Sequence, residues 1–118
     1  VATAIRIGKP QSWDKAWRAQ KESEGWFDEF SDEEILATQK LLGEKEGIFC
    51  EPASAISVAG ALKSIRANKI PEGSVVVCTL TGHGLKDPDV AIRQSTTPLI
   101  KVPAELNAVK SVILDNMA

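Results

Sequence analysis

The sequence lacks most of the features that would take it out of the ordinary globular class. It has no long apolar run: the longest, at about 56–62, is a third of the ~20 residues a membrane helix needs, so a membrane is not an expected partner. It has no excess of either charge, since 14 Lys and Arg against 16 Asp and Glu leave −2 at pH 7. Nothing therefore argues for a polyanion-binding surface, and nucleic acid is not expected either. Only two cysteines occur, Cys50 and Cys78. With a normal apolar content they fit a reducing compartment better than a disulfide framework, and they are expected to be unbridged. His83 is the only histidine, with no Cys, His or acid at ligand spacing, so no metal site is expected. A Ser-His-acid triad cannot be argued from one histidine and unrelated serines. No internal repeat or low-complexity tract is present.

What remains is 118 residues, 43% hydrophobic and 25% charged, the balance of one modest globular domain. A compact chain of this size buries roughly 65% of the surface its unfolded form exposes. The chain opens at Val1 rather than Met and enters at once on an apolar segment, which reads as a processed, truncated or excised piece.

Hydrophobic periodicity organises the chain. Residues 1–7 alternate loosely and predict a strand, stopped by Gly8 and Pro10. Trp13, Ala16 and Trp17 fall at i, i+3 and i+4 on a helix to about Glu22, and Gly25 breaks it before an extended aromatic stretch at 26–30. Ser31 followed by Glu34 is a capping box, with Asp32 and Glu33 favouring the same end of the helix dipole; that helix should stop at Gly47. Residues 48–50 are brief and apolar, a candidate for one more strand. Pro52 suits the first turn of a helix whose apolar residues lie nearly all round it until Lys63 and Arg66, so most of its surface should be buried. After a turn at Pro71-Glu72-Gly73, the run Ser-Val-Val-Val-Cys-Thr-Leu at 74–80 has the composition of a strand buried on both faces of a parallel sheet. Helix, turn and buried strand are half of a βαβ unit, and the class read from them is α/β. A closing helix is expected over 105–116, with Leu106, Val109 and Ile113 on one face.

In open α/β sheets ligands bind beyond the carboxyl ends of strands, which directs attention to Thr81-Gly82-His83-Gly84-Leu85-Lys86-Asp87-Pro88. Its glycines allow either close backbone approach to a ligand or a turn with positive φ, and the pattern alone does not choose. It is no dinucleotide fingerprint, because no third glycine follows and Pro88 is expected to interrupt a helix there. Glu51 is the second candidate. A carboxylate between an apolar triplet and an apolar helix needs a partner, unless it only serves the helix dipole.

Three stretches together resemble one family. Ala2-Thr3-Ala4-Ile5-Arg6-Ile7-Gly8, Gly47-Ile48-Phe49-Cys50-Glu51-Pro52-Ala53-Ser54-Ala55 and Leu80-Thr81-Gly82-His83-Gly84-Leu85-Lys86-Asp87-Pro88 are similar to the C-terminal third of the threonine synthases. These are pyridoxal-phosphate lyases of fold type II. The Glu-Pro-x-x-Ala element is shared with threonine dehydratases and serine racemases, whereas the block at 80–88 is far more specific. The resemblance implies a Rossmann-like, three-layer parallel-sheet part of the large cofactor-binding domain, with a core over 1–89 and a tail and helix over 90–118. It implies pyridoxal phosphate as cofactor and conversion of O-phospho-L-homoserine and water to L-threonine and phosphate. Another fold type II lyase such as a threonine dehydratase, or a non-catalytic binding fragment, are the alternatives.

Residue by residue, Thr81 matches the position that hydrogen-bonds the pyridine nitrogen, where a hydroxyl can donate to a neutral ring. Glu51 matches a place beside the ring, tuning charge rather than acting as base. Ala2 and Ala4 match a strand end whose backbone lines the pocket, and Gly82 and Gly84 shape its wall. His83 and Lys86 are read as no more than structural. The lysine that binds the cofactor covalently and the loop that holds its phosphate are expected outside this chain, which supplies no catalytic residue of its own and should be inactive alone. The expected partners are the substrate, the remainder of the enzyme chain and a second copy in a homodimer. The expected compartment is the cytoplasm, with a plastid left open because the true N-terminus would lie elsewhere. Alone, the chain should self-associate or be marginally folded.

Overall fold

A computed structural model describes residues 1–95 and 100–117. Among the described residues five α-helices run in chain order: α1 (Trp13–Ser23), α2 (Asp32–Glu46), α3 (Pro52–Arg66), α4 (Pro88–Gln94) and α5 (Leu106–Asp115). Short 3-10 turns occupy Thr3–Ile5 and Gly84–Lys86.

The centre of the structure is the pairing of α2 with α3, and local chemistry sets both helices. Ser31 Oγ accepts the Glu34 N–H at 3.3 Å while Glu34 Oε2 accepts the Ser31 N–H at 2.8 Å, so the expected capping box is formed. Gly47, at φ +65°, closes α2 in the left-handed region. Ile35, Thr38, Gln39 and Leu42 form the buried face of α2, at i, i+3, i+4 and i+7. Against it α3 presents small residues, Ala55 and Ala59, which let the two backbones approach. Leu42, Cys50 and Ala55 form a buried cluster with Val58 and Leu80 packed on it. Only Lys63, Ile65 and Arg66 of α3 are exposed, as the nearly all-round apolar pattern implies.

A buried amide ties this pair to the rest. Gln39 Nε2 donates to the Cys50 carbonyl at 2.7 Å, and Gln39 Oε1 accepts from Gln94 Nε2 of α4 at 2.6 Å. Both ends of the Gln39 amide are thereby satisfied in a residue 5% exposed. Cys50 and Cys78 are free thiols, and burial pushes the Cys50 thiol above its ordinary range.

Several expectations are corrected. Residues 1–7 are not a strand: Ala2 sits at φ +56° and the Ile5 N–H bonds back to the Ala2 carbonyl at 3.0 Å, closing a 3-10 turn. Pro88 does not interrupt a helix but starts α4, where its missing N–H costs nothing. The parallel sheet is not formed among the described residues; their one β-bridge is the isolated antiparallel pair Cys50–His83. Residues 74–80 have no ladder partner, and Val75 and Val77 are 94% and 87% exposed. A β-branched run becomes a strand only when a neighbour about 4.8 Å away takes its N–H and C=O groups. Here no other segment of the described chain supplies one.

The burial expectation also fails. The accessible surface is 9501 Å², against about 6,200 Å² for a compact monomer of this mass, so about half rather than 65% of the unfolded surface is buried. The radius of gyration, 18.8 Å, exceeds the about 13–14 Å of a compact chain of this length. The amphipathic α1 contributes to this: it is helical over the predicted span, yet none of its residues is buried, and Trp17 stacks on Phe27 at 5.7 Å while staying exposed.

Two substitutions check these elements. Gly43 lies inside α2, and a Cβ added there would meet nothing within 4 Å, so Gly43→Ala should stabilise the protein by about 0.5–1 kcal/mol in denaturant unfolding. Lys63 Nζ donates to Asp28 Oδ1 at 2.8 Å and lies 4.6 Å over the Phe30 ring, pinning the 26–30 stretch to α3. The Lys63 bond lowers the Asp28 carboxyl below its ordinary 3.8 and the Asp28 bond raises the Lys63 ammonium above 10.5. The stabilisation is therefore present above Asp28's unfolded value and lost as pH falls through the lowered folded one; at the basic end it is lost as pH rises through Lys63's raised value. Asp28→Asn should lower the melting temperature at neutral pH, and the difference should shrink as pH falls through the lowered carboxyl value of the folded state. An equal loss at both would contradict the pairing.

Candidate functional site

The first turn of α3 and the 81–87 loop meet edge to edge. The Glu51 N–H donates to the Gly82 carbonyl at 2.8 Å and the Gly84 N–H to the Phe49 carbonyl at 3.0 Å, which frames the Cys50–His83 bridge. Pro52 follows Glu51 at the first helical position, fully buried, and so sets where α3 begins.

This brings Glu51, Thr81 and Gly82 together. Glu51 caps α3 with its backbone extended, and although it is a carboxylate it is only 5% exposed. Two donor groups stand within reach of its oxygens. Ser54 Oγ lies 3.3 Å from Oε1, and Lys86 Nζ lies 3.4 Å from each oxygen. Glu51 therefore does more than face a helix dipole; it is a buried charge with a cation and a hydroxyl against it, the condition under which burial is tolerated. Lys86, read from the sequence as no more than structural, is that cation.

The positive-φ reading of the glycines is not borne out, and packing within the chain gives them a reason of its own. Neither Gly82 nor Gly84 takes a positive φ. Both are buried, and what crowds them is the chain itself: a Cβ on Gly82 would fall within the Glu51 carboxyl group, and one on Gly84 within the Phe49 ring. Phe49 is held in turn edge-on to His83, at 5.3 Å between ring centroids. His83 Nδ1 accepts the Leu85 N–H at 3.2 Å, so the histidine caps the 3-10 turn.

Ser54 is the residue that sequence reasoning missed. Its Oγ accepts the Gly82 N–H at 3.0 Å, contacts Glu51, and lies 3.2 Å from Thr81 Oγ1. A signal was available: Glu51 and Ser54 are the cap and third helical positions after it, whose side chains face one another by helix geometry. Thr81 itself is exposed, with Ser54 its hydrogen-bond partner.

Ala2 and Ala4 are placed differently from these three. Ala2 is buried at 3% exposure while Ala4 is exposed. Their turn packs on α3, and Thr3 Oγ1 donates to Asp87 Oδ2 at 3.1 Å, which holds the turn against the far end of the loop. A cleft of about 550 Å³ lies elsewhere, between α2 and α3, lined by Phe30, Thr38, Leu41, Leu62 and Lys63 among others.

The close approach predicts a large cost for any side chain at either glycine. Gly82→Ala and Gly84→Ala each drive a methyl into a packed neighbour and should destabilise by about 2–3 kcal/mol or more in denaturant unfolding. A change below about 0.5 kcal/mol would mean the loop does not seat on Glu51 and Phe49 as described.

Comparison with known proteins follows the same segments. The sequence profile of the pyridoxal-phosphate dependent enzymes matches residues 1–82, which include the α2–α3 pair, Glu51, Ser54, Thr81 and Gly82. The chain is 57% identical over 95 residues to threonine synthase of Synechocystis sp., covering 80% of this chain and 24% of that protein. It is 58% identical over 92 residues to threonine synthase of Halalkalibacterium halodurans, covering 78% and 26%. With threonine synthase of Methanocaldococcus jannaschii it shares 50% identity over 113 residues, covering 96% and 28%. The chain thus spans between a quarter and a third of the length of these relatives. It belongs to the pyridoxal-phosphate-dependent enzyme family, for which pyridoxal phosphate is the cofactor.

Proposed function

We propose that this chain is a segment of a threonine synthase, contributing the ring-nitrogen end of the cofactor site to an enzyme that converts O-phospho-L-homoserine and water to L-threonine and phosphate. The observation that carries this reading is the 57–58% identity to proteins named threonine synthase over about four-fifths of the chain. The donor set is compatible with the cofactor's ring: a neutral hydroxyl, Thr81, stands exposed at the loop's opening with a second neutral hydroxyl behind it. When bound, pyridoxal phosphate supplies the electron sink for carbanion chemistry, and the protein orients it and tunes its ring.

This chain's residues have holding and tuning roles. The Thr81 hydroxyl donates to the ring nitrogen, which as a neutral partner it does not force to protonate. The Glu51 carboxylate adds a fixed negative charge behind that hydroxyl, softened by Lys86. Gly82 keeps the pocket wall thin, because a side chain there is blocked by Glu51. Ala2 and Ala4 contribute backbone to the pocket rim. The covalent lysine and the phosphate-binding loop come from other segments of the enzyme.

The remaining parts of the reading concern partners. Residues 74–80 are proposed as a strand of a parallel, three-layer sheet completed by the rest of the enzyme chain. The exposed Val75 and Val77, and a chain that buries only about half its unfolded surface, support that. The enzyme is proposed as a cytoplasmic homodimer.

Two measurements test the proposal. The full-length enzyme carrying this segment should release phosphate from O-phospho-L-homoserine, and Thr81→Val should lower kcat/KM by about tenfold or more, the loss of one oriented hydrogen bond. Turnover of L-threonine in place of O-phospho-L-homoserine would make it a dehydratase. The isolated chain titrated with pyridoxal phosphate should give no saturable visible band; a stoichiometric band trapped by borohydride on a lysine of this chain would overturn the placement of the covalent lysine elsewhere.

A further inference from the structure

Ser54 Oγ meets Glu51, Thr81 and the Gly82 N–H, and its proton count is informative. The residue is 5% exposed. A hydroxyl carries one proton and two lone pairs. One lone pair of Ser54 Oγ is committed to the Gly82 N–H at 3.0 Å. Its single proton has two acceptors within reach, Glu51 Oε1 at 3.3 Å and Thr81 Oγ1 at 3.2 Å, and it can serve only one.

The two choices leave Thr81 in opposite states. If the Ser54 proton goes to Glu51, the free lone pair of Ser54 draws the Thr81 proton inward, and Thr81 offers only lone pairs outward. If the Ser54 proton goes to Thr81 Oγ1, the Thr81 proton is released and its hydroxyl faces outward as a donor. In the second state Glu51 is not abandoned, because Lys86 Nζ stays 3.4 Å from both of its oxygens. Lys86 is thus what permits the Ser54 proton to leave the carboxylate.

We propose that Ser54 is a positioning residue that directs its one hydroxyl proton to Thr81 Oγ1, so that Thr81 donates outward to the ring nitrogen of pyridoxal phosphate, while Lys86 holds the Glu51 charge. This rests on the reading of Thr81 given above. It assigns Ser54 and Lys86 functions that do not require either to touch the cofactor.

The test uses the full-length enzyme, with cofactor affinity measured by titrating the apo form and following visible absorption. Ser54→Ala should weaken affinity about tenfold and shift the absorption maximum of the bound cofactor, the effect of losing one well-placed hydrogen bond. On a Thr81→Val background the same change should add less than about twofold, since Ser54 acts through Thr81. Lys86→Met, at an exposed position, should weaken affinity in the same non-additive way by returning the Ser54 proton to Glu51. The nitrogen-15 chemical shift of ring-labelled pyridoxal phosphate in the wild-type enzyme should be that of a neutral, hydrogen-bonded pyridine, and if Ser54→Ala does not fold, Lys86→Met on the wild-type and Thr81→Val backgrounds decides the matter. Additive losses, an unchanged affinity in Ser54→Ala where Thr81→Val weakens it, or a protonated ring nitrogen would overturn the proposal. If Thr81→Val changes neither affinity nor spectrum, the reading of Thr81 is wrong and the proposal falls with it.

Discussion

The described structure hinges on a buried carboxylate. Glu51 sits at the start of α3 with almost no solvent contact, and each neighbour is arranged so that the charge is tolerable. Ser54 one turn on supplies a hydroxyl, Lys86 brings a cation from the loop, and the chain at residue 82 has no side chain because Glu51 fills that space. The backbone bridge between residues 49–51 and 82–84 then follows, and it carries Thr81 to within hydrogen-bond distance of Ser54. Removing both partners would leave a buried charge uncompensated, and adding a side chain at residue 82 would leave the chain without room.

The rest of the described chain is looser than this site. One helix pair and one buried amide, Gln39, carry the packing, while α1, α5 and residues 74–80 bury little. The exposed valines at 75 and 77 and the low overall burial have one physical meaning. The apolar surface of this sequence exceeds what its own described elements can cover. That is consistent with a chain spanning only a quarter to a third of its relatives' length.

Legibility in the sequence followed the range of the interactions. The helices were readable because their signals are local: a serine with glutamate three residues on, a proline at the first turn, a glycine in the left-handed region at Gly47. The strands expected at 1–7 and 74–80 do not form, because alternation and β-branching describe only a readiness to pair and no described segment pairs with them. The candidate site was legible in part. Glu51, Thr81 and Gly82 stood out as a carboxylate, a hydroxyl and a glycine in suggestive places. Their distance in sequence hid the fact that Gly82 is shaped by Glu51 rather than by its own φ.

By itself the amino-acid order determined α1, α2, α3 and α5 though not α4, together with the near-neutral charge and the family resemblance, since each rests on residues within a few positions of one another or on matched segments. Tertiary structure decided which groups meet. Lys86 is an exposed loop lysine in the sequence, and it becomes the partner of Glu51 only when the 81–87 loop folds back across the start of α3, the same closure that brings Thr81 and the Gly82 N–H to Ser54. Hydrogen bonds and ion pairs act over about 3–4 Å, so their members are known only once the chain has closed that distance.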